Sequence, residues 1–126
     1  MKRLIVTLLL LLLSACGSEA WAPAPQSWED ITVSIETRPS PVRSGMNEFL
    51  VIANRQQKGF MSDLLVHIRT DGSGWRQAIP DGALGVFRRA LPVDDPATDH
   101  LHVRLMRKGK ETELLFSLAP EANAAH

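Results

Sequence analysis

The chain has 126 residues, 14 Lys and Arg against 14 Asp and Glu, and a single cysteine. Near-neutral charge with interspersed signs excludes the basic stripe that nucleic-acid binding requires, and a lone thiol excludes a disulfide within a monomer. The length suits one domain with a modest core.

In chain order the first element is a leader. Lys2 and Arg3 form a positive n-region, Leu4 to Leu13 an apolar run, and small residues follow, the layout of a secretory signal over residues 1–15. A spanning helix needs roughly 20 apolar residues, so this run is too short to remain as one. Leu13-Ser14-Ala15-Cys16 resembles the lipobox of bacterial lipoproteins. The resemblance implies cleavage before Cys16 and acylation of that cysteine. Two or more acyl chains hold a protein stably at a membrane, where one holds it only marginally. Cys16 is thus expected to be a lipidation site, neither nucleophile nor disulfide partner. Without Lys2 and Arg3 the chain carries 12 basic and 14 acidic side chains. Gly17 and Ser18 supply no aspartate after the cysteine, the residue that favours inner-membrane retention, so the expected place is the periplasmic face of an outer membrane.

Residues 16–29 read as a Pro/Ala-rich tether, because prolines hold a chain extended and out of a helix. Of its tryptophans, Trp28 is expected to dock on the domain, and Trp21 either to dock or to sit at headgroup level. The domain proper is expected over residues 30–118 and a frayed tail over 119–126.

Strand periodicity then dominates. "ITVSIET" alternates Ile31, Val33 and Ile35 against polar neighbours, "NEFLVIA" reads as a mostly buried strand, and "DLLVHIRT" sets Leu64, Val66 and Ile68 opposite Leu65, His67 and Arg69. "WRQAI" and "VFRRALPV" follow, then "HLHVRLMR" with Leu101, Val103 and Leu105 on one face, and "ETELLFSL" with Leu114, Phe116 and Leu118 inward. About seven short strands separated by Gly, Pro and Asp turns predict an all-β, immunoglobulin-like antiparallel sandwich.

"SGMNEFLV", "DLLVHI", "LGVFRRALPV" and "HLHVRLMRKGKETELLFSL" together resemble the immunoglobulin-like domain of the YtkA-like and FixH-like group, from Ile31 to Leu118. That resemblance implies an exported or membrane-linked role, in some members near copper delivery or respiratory oxidase assembly. The methionine-rich loop and penultimate-strand tryptophan common in the group are missing: "TDGSGWRQAIPDGA" has no methionine, and His100-Leu101 stands where the tryptophan would fall.

No catalytic constellation is visible. "DGSG" around Ser73 is not a nucleophile elbow, and "RKGKET" lacks the spacing of a phosphate-binding loop. His100 and His102 fall on one outer strand face with Met106, and His67 on the outer face of another strand. Imidazole and thioether suit copper, so His67, His100, His102 and Met106 form the candidate ligand set of a metal-handling alternative. The plainer expectation is solvated strand residues. Met46 and Met61 are expected to fill gaps at strand ends, and Asp94, Asp95 and Asp99 to form a solvated turn, not a calcium loop. Of Arg88 and Arg89, alternation places one on the buried side of an edge strand. The expected function is a non-enzymatic binding or accessory module, held at the membrane through Cys16 and meeting an envelope protein partner through a sheet face or edge.

Overall fold

The computed structural model describes residues 21–55, 63–82 and 85–120. Their strands are β1 (Gln26–Trp28), β2 (Ile31–Arg38), β3 (Gly45–Arg55), β4 (Leu65–Thr70), β5 (Arg76–Gln77), β6 (Ile79–Pro80), β7 (Val86–Val93), β8 (His100–Arg107) and β9 (Lys110–Ser117). They form an antiparallel sandwich, with a five-stranded sheet ordered β1-β2-β3-β7-β6 and a four-stranded sheet ordered β5-β4-β8-β9. Each expected strand is present. Nine result because β1 lies upstream of the first expected one and because "WRQAI" divides.

Alternation explains the layers. Ile31, Val33 and Ile35 of β2, Phe49 and Val51 of β3, and Phe87, Leu91 and Val93 of β7 point inward from one sheet. Val66, Ile68, Leu101, Val103, Leu105 and Phe116 meet them from the other, forming one buried cluster. The ladder from Ile31↔Arg55 to Arg38↔Glu48 keeps that face in phase, since a slip of one residue would turn every apolar side chain outward.

β1 falls within the stretch read as a tether. Gln26↔Val33 to Trp28↔Ile31 pair it with β2, and Gln26 Nε2 donates to the Leu115 carbonyl across the sandwich, 2.6 Å away. Trp21 and Trp28 both pack against the core. The prolines precede the strand, where no ladder hydrogen bond is needed from them, so an extended, Pro-rich lead-in is compatible with pairing.

The division at Ala78 has a simple cause. Ala78 is buried, and its N–H bonds the Val66 carbonyl at 2.8 Å; the residues before it pair with β4 and those after it with β7. Gly85 is fixed by close backbone approach. Its φ is +84°, its carbonyl accepts from Ala53 N at 2.7 Å, and a Cβ there would meet Ala53 O at 2.5 Å.

The loops at one end are tied by buried polar groups. Asn47 donates through Nδ2 to the Arg43 and Gly45 carbonyls and accepts from Arg43 N, so its amide is satisfied inside the β2–β3 loop. Thr70 Oγ1 donates to the Pro92 carbonyl at 2.6 Å, joining the two sheets. The acidic loop departs from a wholly solvated turn: Asp94 and Asp95 are exposed, but Asp99 is buried, with Oδ2 accepting from Asp94 N at 2.9 Å. Met46 fills no gap and is 61 % exposed; Met61 lies outside the described residues.

Candidate functional site

The outer face of the four-stranded sheet collects most of the chemistry-bearing side chains. β4 contributes Leu65, His67 and Arg69, β8 His100, His102, Arg104 and Met106, and β9 Glu111, Glu113 and Leu115. The register sets Arg69, His102 and Leu115 in one row, His67, Arg104 and Glu113 in the next, and Leu65, Met106 and Glu111 beyond. With strands about 4.8 Å apart, such a row covers roughly 10 Å.

The turn after β4 completes the face. Thr70 N donates to Ser73 Oγ at 2.9 Å, and Ser73 N returns to the Thr70 carbonyl, a tight turn that delivers Trp75 beside Arg69. The Arg104 guanidinium lies 4.0 Å from the centre of the Trp75 ring and that of Arg69 5.3 Å away. His102 meets the ring edge-on, with centroids 6.3 Å apart. Each cation–π contact contributes about 0.5–1 kcal/mol at an exposed site. Arg104 is further held by Glu111, Nε to Oε1 3.2 Å.

Asp71 gathers the two histidines. Its Oδ2 accepts from His100 N at 3.1 Å and lies 3.0 Å from His100 Nδ1, while its Oδ1 lies 2.7 Å from His102 Nε2. The other ring nitrogen of His102, Nδ1, faces Glu113 Oε1 at 3.2 Å. Both nitrogens of that ring can donate to their carboxylates only as the imidazolium. Partial burial alone would raise the Asp71 carboxyl, but hydrogen bonds from His100 and His102 outweigh it and hold the pKa at about 2.

His100 and His102 therefore come together, on the outer face and opposite the buried Leu101 and Val103 as alternation requires. His67 and Met106 do not join them. His67 stands across from Arg104, with Nδ1 buried and lacking a hydrogen-bond partner among the described residues, and Met106 stands across from Leu65. Among the described residues no group of three or more His, Cys, Asp or Glu side chains could hold a metal ion. Cys16 lies outside the described residues.

Arg88 and Arg89 separate as alternation demands. Arg88 points outward from the five-stranded sheet, with Nη2 2.6 Å from Asp81 Oδ2 and Nε 3.0 Å from Glu48 Oε1, the latter an ion pair not aligned as a hydrogen bond. Arg89 is half-buried on the inward side between Phe87 and Leu91. The β6 ladder beside them covers only Ile79↔Arg88 and Pro80↔Phe87, so the rest of β7 is an edge.

Sequence reasoning missed Asp71 and Trp75 as members of the site. The available signal was Trp75 itself, a large ring following a Gly/Ser turn with no apolar alternation to bury it. No family model, curated protein or solved structure matches the chain.

Proposed function

We propose that this protein is a lipid-anchored envelope lipoprotein, cleaved before Cys16, that acts as a non-enzymatic binding module for an envelope protein partner. The partner docks on the outer face of the four-stranded sheet. One observation carries the reading: Trp75 is half-buried against the Arg104 and Arg69 guanidinium groups, and the exposed apolar side chains of Leu65 and Leu115 lie on the same face. Trp and Arg dominate the energetics of protein interfaces, above all where neighbouring contacts already order them. Here the ring and both guanidinium groups are held in place before a partner arrives, which lowers the side-chain ordering cost of association.

Anchoring through Cys16 is supported by the lipobox-like leader, and the periplasmic face of the outer membrane by Gly17 and Ser18. Function as a metal carrier receives less support, because carboxylates occupy the ring nitrogens of His102 and one of His100.

The test is site-specific photocrosslinking in cells, with the crosslinker at Leu65 or Leu115 and, as a control, at Glu36 on the outer face of the five-stranded sheet. Adducts are expected from Leu65 and Leu115, lost on Trp75→Ala, and none from Glu36. Equal adducts from both sheets, or none from Leu65 and Leu115 while the lipidated protein is present, would overturn the docking face. Cys16→Ser is expected to remove the acyl mass from the protein.

A further inference from the structure

The four-stranded sheet sets two opposite charges face to face and then keeps them apart. Arg104 of β8 and Glu113 of β9 are directly paired in the ladder, where Cβ atoms lie about 4.5–5.5 Å from each other. The two side chains nevertheless form no ion pair with each other. Arg104 goes to the Trp75 ring and to Glu111, while Glu113 turns to the diagonal neighbour His102, Oε1 to Nδ1 3.2 Å.

His102 holds Glu113 on that diagonal while its other nitrogen, Nε2, lies 2.7 Å from Asp71 Oδ1. A neutral imidazole has one N–H and can serve only one of the two carboxylates; the other then faces a lone pair. Asp71 keeps its place, because the His100 backbone N–H donates to its Oδ2 whatever the state of the rings. Glu113 has no second tie among the described residues and stands half-exposed on β9, the edge strand of its sheet. His100 differs: it faces a single carboxylate through Nδ1, which its neutral form can still serve. The other charged groups around His102 are Arg69, opposite it on β4, and Arg104, two residues along β8. Both are guanidinium groups and keep their charge at every physiological pH. From β9 the residue directly opposite is the uncharged Leu115.

We infer that His102 is a proton-operated latch on the docking face: its imidazolium holds Glu113 and leaves Arg104 stacked on Trp75, and its neutral form releases Glu113 to draw Arg104 off the ring. Docking of the partner is thereby favoured at acid pH and weakened as the pH rises through the range of about 5 to 8, where histidine loses its charge. A cross-strand ion pair and an exposed cation–π contact are of similar strength, so the loss of one proton is enough to shift the balance between them. Regulation of the partner rests on the proposed docking at this face, whereas the latch is readable in the protein alone.

The first measurement uses the full acylated chain in detergent micelles. The Arg104 Cδ protons, next to a guanidinium 4.0 Å from the centre of the Trp75 ring, take an upfield ring-current shift, so their NMR position reports the stack. From pH 5.5 to pH 8.5 that displacement is expected to fall at least two-fold, in step with the His102 ring resonances. Glu113→Gln is expected to keep the displacement at both pH values while His102 still titrates, because an amide does not compete for the guanidinium as a carboxylate does. A displacement indifferent to the His102 titration, or one that falls equally in Glu113→Gln, would overturn the latch and leave the docking reading standing. The second measurement is photocrosslinking from Leu65 in isolated envelopes at the same two pH values. About three-fold more adduct is expected at pH 5.5, with the difference lost in Glu113→Gln. Equal adducts from the unchanged protein would overturn the regulation alone, and no adduct at either pH would overturn the docking reading and the regulation with it.

Discussion

The two outer faces of the sandwich meet water under the same alternation rule and satisfy it differently. On the five-stranded sheet, Glu48 sits between Arg38 and Arg88, and Arg88 reaches on to Asp81, an arrangement of flexible side chains paired by charge. On the four-stranded sheet, a tryptophan ring carries two guanidinium groups, and a histidine pair converges on Asp71. Among the described residues the first arrangement leaves no large ring outside, whereas the second keeps one half-exposed against two guanidinium groups. A face that only needed solubility would have no reason to hold a tryptophan in this way, and this contrast favours docking on the four-stranded side.

The largest effect should come from what the faces share. Phe49 and Phe116 lie beneath opposite sheets and are almost fully buried. Phe49→Ala and Phe116→Ala should each cost about 3–5 kcal/mol, read from urea midpoints. A loss below about 1 kcal/mol for either would mean that its sheet does not depend on the common core. The next effect should separate the faces. Trp75→Ala should weaken partner binding by about 2 kcal/mol, roughly 30-fold, while lowering stability by about 1 kcal/mol. If Arg88→Ala weakened binding as much, the contrast between the sheets would carry no functional meaning.

Arg88→Ala should instead cost stability of about 1 kcal/mol or less, most of it removed in 1 M salt, because its ion pairs are partly exposed. The smallest effect should be a pH dependence on the histidine side. Asp71 is held at about 2, below its ordinary 3.8, so its stabilising contribution is present above the ordinary carboxylate range and is lost as the pH falls toward 2. The stability difference between the protein and Asp71→Asn should therefore narrow between pH 4 and pH 2, measured by thermal melts. A constant difference across that window would mean that the histidines do not stabilise the Asp71 charge.

Alternation made the strands legible, because each turns one apolar edge to a shared core. Leu64, Val66 and Ile68 are buried while Leu65 is exposed, as period two requires. β1 was harder to read: three residues after a Pro-rich lead show no period of their own, and only pairing with β2 makes them a strand. At the candidate site the outward direction of His100 and His102 could be read, but their partner could not. Asp71 reaches them from 29 and 31 residues away through a turn whose path depends on Ser73 and on packing against the next loop. Met46 was misplaced for a related reason, since a lone methionine near a strand end has no periodic neighbours to assign its face. The glycine before "VFRRALPV" was visible, yet its close approach to Ala53 is a property of two strands together.

The lead-in pairing has a mechanical meaning. β1 lies antiparallel against β2, and the residues before it run back toward Ser40 as far as Trp21, whose carbonyl accepts from Ser40 Oγ. Tension arriving from upstream therefore acts along the ladder, so the β1–β2 bonds bear it together in shear and do not open one after another as in a peeled hairpin. Trp21, clamped by Ser40, takes the strain first and shields those bonds. Under the anchoring proposed at Cys16, a domain joined to its lead in this way would resist being pulled loose, and should β1 yield, the lead would lengthen while the core stayed closed.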